Sequence, residues 1–195
     1  PVIEKQQVKI NKAYLLSCVN ARLEDLREAA NVINGHKVAA GVESYVAAAS
    51  AEVQKQAESE GAWQTLVGAG AIPLPSGCGP CIGLGIGTLK AGEVGISATN
   101  RNFKGRMGDR DAKAYLGSPA VVAASAVAGY ICAPKTFALK DAKFSVKVND
   151  AMSSAAGAVE IIKGFPSKVK GRLIWLPIDN LNTDGIYSGK LTHRD

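Results

Sequence analysis

Residues 13–33 read AYLLSCVNARLEDLREAANVI and carry the clearest structural pattern in the chain. The short apolar run at 13–17 is typical of a buried strand. Apolar residues then recur at helical spacing over 23–33, with acidic residues in the first turns, where they complement the helix dipole. Asn20 is predicted to cap this helix, and Gly35 follows its end. The stretch therefore predicts a strand that leads directly into an amphipathic helix.

The same alternation continues along the chain. Further elements are predicted as a strand at 45–49, a helix at 51–60 capped by Ser50 and ended by Gly61, a short helix at 63–67, a strand at 92–97, and a helix at 120–128 opened by Ser118 and Pro119. Strands that alternate with helices predict the α/β class, with a mostly parallel sheet flanked by helices. Loops leaving the carboxyl ends of such strands form the ligand crevice.

Three regions are predicted along the chain. Residues 1–135 form the α/β domain, residues 136–170 are a linker rich in Lys, Ser, Ala and Asp, and residues 171–195 begin a second, incomplete domain with a fresh strand. Residues 8–16 resemble the middle of a domain. The chain is therefore expected to be a piece of a longer protein.

Composition limits the classes of partner. The net charge is +6 and the pI is about 9.2, which suits an anionic small ligand or simply a solvated basic surface, as in a mitochondrial matrix protein. Nucleic-acid binding is not favoured, because the basic residues form no long run and aromatic residues do not interleave with them. No membrane is expected either, because the most apolar window, 120–131, is too short to span one.

The cysteines indicate metal or redox chemistry. Cys18 is followed much later by the close pair in Cys78-Gly79-Pro80-Cys81, within a loop whose prolines and glycines exclude regular structure. Thiolates in this arrangement suit zinc, copper(I) or an iron–sulfur cluster. Zinc would need a fourth ligand, for which the candidates are His36, expected to be exposed, and Cys132, expected to be a buried small hydrophobe. A cluster on three thiolates would leave one iron open, and spacing alone leaves cluster, zinc and redox or structural thiols as alternatives.

A second informative segment is residues 99–106, which read TNRNFKGR. The guanidiniums of Arg101 and Arg106, in a glycine-containing loop after a strand, suit bidentate binding of carboxylate or phosphate. Arg22 stands at a helix start close after Cys18, where backbone amides also favour an anion. The alternative is a solvated basic loop.

Four segments together resemble the aconitase superfamily, most closely the homoaconitases of fungal lysine synthesis. They are residues 15–22, 74–85, 92–106 and 179–187. The resemblance covers nearly the whole chain and is weakest over 133–163. It implies the third domain of such an enzyme, then a linker and the first strands of a swivel domain.

The resemblance also implies roles by position. Cys18, Cys78 and Cys81 match the ligands of a [4Fe-4S] cluster with one open iron. The other implied site residues are Asn20 and Asn100 beside the cluster, and Arg22, Arg101 and Arg106 on the carboxylates of a small tricarboxylate substrate. The implied reaction interconverts homocitrate or homoisocitrate and homoaconitate by dehydration and rehydration, in the mitochondrial matrix.

The family's acid and base groups lie in other domains, so no catalytic residue is assigned here and the isolated chain is expected to be inactive. The runner-up hypothesis is a truncated relative that serves as a binding or interaction module. Faces that would meet other domains would then expose apolar side chains and favour self-association or a partner. A small zinc or thiol protein is the third alternative.

Overall fold

The structure, a computed structural model, describes residues 7–134 together with residues 168, 170 and 171. The chain divides into two compact units, Pro1–Val148 and Asn149–Asp195. All described helices and strands belong to the first unit. The predicted linker and second domain fall almost wholly outside the described residues, so the domain boundaries stay a prediction.

The described elements form one sheet with its helices. The strands are β1 Lys12–Leu16, β2 Glu43–Ala47, β3 Ile72–Pro73, β4 Val94–Ser97 and β5 Lys113–Leu116; the α-helices are α1 Leu23–Ile33, α2 Ala51–Glu60, α3 Ala62–Gly68 and α4 Pro119–Ala128. The strand order is β3-β2-β1-β4-β5 and every neighbouring pair is parallel. The predicted α/β class, with a parallel sheet flanked by helices, is confirmed.

The strand order places a crevice at a defined point. From β1 the chain moves outward to β2 and β3, then crosses to the other side of β1 for β4 and β5. The order therefore reverses between β1 and β4. In open α/β sheets, ligands bind outside the carboxyl ends of the strands at this switch point.

The helix ends follow the local signals in the sequence, with one exception. Ser50 and Ser118 cap α2 and α4 as predicted, each accepting a hydrogen bond from a backbone N–H of the first turn. The prediction that Asn20 caps α1 is wrong. Arg22 is the N-cap, and its backbone N–H donates to the Asp25 carboxylate at 3.0 Å. Asn20 lies two residues before this N-cap, in a turn where its own N–H donates to the Ser17 hydroxyl.

Two cores lie on opposite faces of the sheet. On one face, Ala13 and Leu15 of β1 pack with residues of all four α-helices, in a cluster that we call the helix-side core. On the other face, Tyr14 and Leu16 pack with Cys81 and with two loop residues, Leu89 and Met107, in a cluster that we call the loop-side core. Within residues 7–134, this second face is covered by loops rather than by an α-helix. We call them the cysteine loop (residues 74–93) and the arginine loop (residues 98–112).

Some details differ from the sequence predictions. Strand β2 begins two residues earlier than predicted, and the short strands β3 and β5 were not predicted. The segment Pro80–Ile82 forms one 3₁₀ turn inside the loop that was expected to be irregular. Helix α4, the most apolar segment, is buried as expected, and no helix in the described part of the chain is long and apolar enough to cross a membrane.

Candidate functional site

The segment after β1 presents Cys18 at the carboxyl edge of the sheet. The Ser17 hydroxyl is buried and accepts hydrogen bonds from the backbone N–H groups of Val19, at 2.9 Å, and Asn20, at 3.1 Å. This folds the chain into a tight turn immediately beyond the strand. Cys18 lies in that turn and is exposed. Its thiol is therefore accessible at the edge where a ligand crevice is expected.

The cysteine loop places its two thiols in different surroundings. Cys78 is exposed and lines a cavity of about 280 Å³ together with Ser76, and with Leu16 and Ala47 at the ends of β1 and β2. Cys81 is only 9% exposed and packs in the loop-side core, in a cluster that includes Leu16. One thiol is thus fixed beneath the loop while the other faces the cavity.

The three cysteines follow the carboxyl ends of β1 and β3, but in the described part of the chain they do not form a ligand set. Among the described residues, no group of three or more His, Cys, Asp or Glu side chains is arranged to hold a metal ion. The donor chemistry nevertheless fits a soft metal. In addition, the Ser76 Oγ atom is buried and has no hydrogen-bond partner within the part of the chain that the structure describes. Because buried hydroxyls are normally paired, it is a donor suited to a ligand bound beside Cys78.

Neither candidate for a fourth zinc ligand joins the cysteines. His36 was expected to be exposed, but it is half-buried and lines a separate cavity with Gln64 and Thr65, between the ends of α1 and α3. Cys132 is buried in the helix-side core, where its backbone N–H donates to the Ser125 hydroxyl at 3.2 Å. The expectation that Cys132 is a buried small hydrophobe is confirmed.

The arginine loop begins with a buried pair of hydroxyls. Ser97, the last residue of β4, donates to the Thr99 hydroxyl at 2.7 Å, and the Thr99 N–H donates back to Ser97 at 2.9 Å. Asn100 follows and is exposed, while Arg101 is half-buried. Both residues therefore leave the carboxyl end of β4 at the switch point, next to the turn that carries Cys18.

Arg106 lies farther along the arginine loop and touches the cysteine loop. Its guanidinium lies 5.3 Å from the centre of the Phe103 ring, and its Nε atom is buried with no hydrogen-bond partner among the described residues. A Cβ on Gly83 would lie 2.9 Å from the Arg106 carbonyl oxygen, so the two loops are in close contact there. Arg106 lines a second cavity, of about 390 Å³, whose lining does not include Arg101.

The structure thus brings the predicted site residues together only in part. Cys18, Asn20 and Arg22 share the segment after β1, with Asn20 half-buried and Arg22 exposed at the start of α1. Cys78 and Cys81 share the cysteine loop, which touches the backbone of Arg106. All eight predicted residues lie in segments that follow the carboxyl ends of β1, β3 or β4.

A polar network beneath the cysteine loop was missed from the sequence. Lys12 is buried, and its ammonium group donates to the Thr88 carbonyl at 2.9 Å and to the Glu93 carboxylate at 2.6 Å. Burial alone would raise the pKa of Glu93, but the hydrogen bonds from Lys12 and from the Lys90 N–H hold it below its usual range. A lysine directly before the apolar run of β1 was the one signal that could have revealed this network.

Two tyrosines also lie beneath the cysteine loop and support it. The Tyr14 hydroxyl donates to the Gly87 carbonyl at 2.6 Å, and its ring stacks on Tyr45 with 5.7 Å between ring centres. Burial, reinforced by the neighbouring Tyr45, raises the pKa of Tyr14 far above its ordinary value. Burial also raises the pKa of Tyr45 to about 12, with a further contribution from its hydrogen bond to Glu43. Both hydroxyls are thus neutral at physiological pH.

Fold and site together define an α/β domain whose cysteines and arginine-bearing loop follow the carboxyl ends of its parallel strands. The chain belongs to the aconitase family. Residues 2–129 match the model of that family, which is described as the aconitase family (aconitate hydratase).

Individual relatives extend the match over almost the whole chain. The mitochondrial homoaconitase of Kluyveromyces lactis is 54% identical over 216 residues, covering 99% of this chain and 31% of the relative. Those of Mycosarcoma maydis and Yarrowia lipolytica are 57% and 56% identical over 207 and 209 residues, again covering 99% of this chain but 28% and 30% of the relatives. The chain therefore spans about 30% of the length of the relatives it matches.

Proposed function

We propose that this chain contributes the cluster-binding domain of a homoaconitase-type hydro-lyase. The whole enzyme would interconvert homocitrate or homoisocitrate and homoaconitate in lysine biosynthesis, in the mitochondrial matrix. The names of the relatives support this activity and location. The observation that carries the proposal is that every predicted ligand and substrate residue follows the carboxyl end of β1, β3 or β4.

The three cysteines would hold a [4Fe-4S] cluster with one open iron. Cys81 is fixed in the core, whereas Cys18 and Cys78 are exposed on loops. The two exposed thiols would therefore close onto the fixed one, coupling metal binding to local folding. When bound, an iron without a protein ligand supplies a Lewis acid that polarises oxygen groups of the substrate.

The arginines would hold the carboxylates of a small tricarboxylate substrate. Arg22 stands at the amino end of α1, where the helix dipole also favours an anion. The Nε atom of Arg106 offers a buried donor that no group in the described chain accepts. Asn20 and Asn100 would add neutral donors beside the cluster, and Arg101 would contribute a third guanidinium.

We assign no acid or base to this chain. Proton transfer requires a positioned acid and base, and the residues proposed here bind and orient rather than exchange protons. The chain alone is therefore proposed to hold cluster and substrate without useful turnover. We further propose that residues 1–135 are the cluster domain, 136–170 the linker and 171–195 the start of the swivel domain.

Anaerobic reconstitution of the chain tests the proposal. Iron and sulfide should each reach about four per chain, as for a [4Fe-4S] cluster. Cys78→Ser should abolish this loading, while Cys132→Ala, which removes a thiol from the opposite core, should leave it unchanged. Adding homoisocitrate should shift the Mössbauer signal of one iron, and Arg101→Lys should weaken that response. Loading with zinc, or no loading in any variant, would contradict the proposal.

A second candidate function, a binding or interaction module, is favoured by one observation. Leu84, Ile86 and Phe103 are large apolar side chains exposed on the two loops. They suit contact with another protein surface. This candidate predicts concentration-dependent association with no iron loading, so iron analysis of the reconstituted chain separates it from the first.

A further inference from the structure

One face of β1 supports the whole cysteine loop from below. Side chains alternate along a strand, so Lys12, Tyr14 and Leu16 all point to the loop side of the sheet. Leu16 lines the cavity of Cys78 at the carboxyl end of the strand. Behind it, Tyr14 and Lys12 reach the backbone of the same loop. Cys81 packs in the same buried cluster as Tyr14 and Leu16.

The hydrogen bonds from β1 are aimed at the loop backbone. The Tyr14 hydroxyl donates to the Gly87 carbonyl, and the Lys12 ammonium group donates to the adjacent Thr88 carbonyl. Lys12 also pairs with Glu93, whose carboxylate in turn accepts the Lys90 N–H at 2.7 Å. Fixed carbonyl acceptors define the position of the chain more strictly than apolar packing does, because hydrogen bonds are directional.

The same anchor reaches the arginine loop through Leu89. The Leu89 N–H donates to the Met107 carbonyl at 2.9 Å, and the Asp109 N–H donates to the Leu89 carbonyl at 2.8 Å. Leu89 directly follows the residue that Lys12 holds, and Met107 directly follows Arg106. A displacement of residues 87–89 would therefore move the backbone next to Arg106 as well as the loop that carries Cys81.

We propose that Tyr14 and Lys12 are positioning residues that fix the cysteine loop and the arginine loop relative to each other at the site. This inference rests on the proposed function for one point only, the reason why the two loops must be held together. That reason is to keep a cluster ligand beside an arginine that binds a carboxylate. The positioning itself concerns the chain without any bound group. It can therefore be tested separately.

Thiol alkylation of the reduced, cluster-free chain tests the positioning. Tyr14→Phe keeps the ring that stacks on Tyr45 and removes only the hydroxyl, which leaves the Gly87 carbonyl without its donor. The expected result is an about tenfold faster reaction of Cys81 with iodoacetamide, followed by mass spectrometry. Cys132, buried in the helix-side core, is the internal reference for global unfolding and should not change.

A matched control is Tyr115→Phe, since Tyr115 packs against the helix-side core. This variant should change the alkylation rate of neither Cys81 nor Cys132.

Lys12→Met is the second test variant, and it should also speed the alkylation of Cys81 without affecting Cys132. If Tyr14→Phe leaves Cys81 unchanged, or accelerates Cys81 and Cys132 together, the inference is overturned. After reconstitution, Tyr14→Phe should also lose iron to a chelator faster than wild type. Failure of the wild-type chain to bind iron would count against the proposed function and leave the alkylation test in force.

Discussion

Gly108 lies where the two loops meet and has no room for a side chain. Its φ is +141°, and a Cβ there would lie 2.2 Å from the Leu89 carbonyl oxygen and 2.6 Å from the Leu89 nitrogen. Backbone atoms cannot give way as a flexible side chain can. Gly108→Ala should therefore lower the free energy of unfolding by about 3 kcal/mol or more, measured by urea denaturation.

Gly92→Ala is the control for this prediction. Gly92 also has a positive φ, +77°, but a Cβ there would meet open space. The Gly92→Ala variant should lower the free energy of unfolding by only about 1 kcal/mol, the cost of a left-handed conformation for alanine. Equal losses for the two variants would show that the loop contact at Leu89 contributes nothing.

Ser76 allows a prediction that separates the metal-free and loaded states. Its buried hydroxyl has no partner in the described chain, so Ser76→Ala should leave the stability of the metal-free chain unchanged or raise it by up to about 1 kcal/mol. If the hydroxyl donates to a bound cluster, the same variant should release iron faster to a chelator. Ser118→Ala, which removes the N-cap of α4, should instead cost about 1 kcal/mol without affecting iron release.

At the scale of residues, the sequence suggested a chemistry for the candidate site but not its geometry. The spacing of Cys18, Cys78 and Cys81 indicated metal or redox chemistry and left cluster, zinc and redox or structural thiols as alternatives. It could not show that Cys81 is buried while the other two thiols are exposed. Nor could it reveal the bond from Lys12 to Thr88, because partners 76 residues apart meet only when the loop folds over the sheet.

At the scale of elements, the attachment of the cysteine loop to β1 should depend on pH. The pKa of Glu93 is lowered in the folded chain, so its ion pair with Lys12 stabilises the fold above the unfolded carboxyl pKa of about 4.3. This stabilisation is lost as the pH falls through the folded pKa. Glu93→Gln should therefore be less stable than wild type at neutral pH, by about 1–3 kcal/mol.

The difference between wild type and Glu93→Gln should narrow towards zero in strong acid. Urea denaturation at neutral pH and in strong acid measures it. Glu28→Gln, an exposed position in the middle of α1, is the control and should show no such convergence. If the free energy of unfolding of Glu93→Gln stays below that of wild type by the same amount over this pH range, the substitution acts through packing rather than through charge.

The sequence predicted the elements whose signals are local. Ser50 and Ser118 cap α2 and α4, and Gly61 ends α2 with a φ of +86°; each works through residues within one turn. Strands β3 and β5 were missed for the opposite reason. The first has two residues, one a proline, and the second reads KAYL with its ends exposed. Each becomes a strand only because a neighbouring strand, β2 for β3 and β4 for β5, offers its free edge.

At the scale of the whole molecule, the sheet has two unlike faces. The helix-side core packs α1 against α3 and α4, with Arg27 of α1 also paired to Glu60 of α2. The loop-side core instead depends on segments that carry the proposed ligands. Sequence patterns predicted the helical face, because amphipathic helices can be recognised from the period of their apolar residues. They did not predict that loops would close the other face, since loops have no period.

This loop-covered face should make the chain associate with itself. Ile86 is 73% exposed, Phe103 56% and Leu84 47%, and all three lie on the two loops. Burying even one such side chain fully contributes about 1.5–3 kcal/mol, which is about a tenfold or larger change in an association constant. Sedimentation velocity of the cluster-free chain should therefore show a monomer that associates as its concentration rises.

The variant Ile86→Ser should weaken this association about tenfold or more, because it removes the most exposed of these apolar side chains. The control is Leu116→Ser, which removes an apolar side chain of similar exposure, 44%, from β5 at the sheet edge. It should leave the association unchanged. Equal weakening by both substitutions would mean that general surface hydrophobicity drives association. A chain that stays monomeric at every concentration would show that the loop-covered face has no affinity for itself, because the side chains exposed there would then be too few or too scattered to bury a common surface.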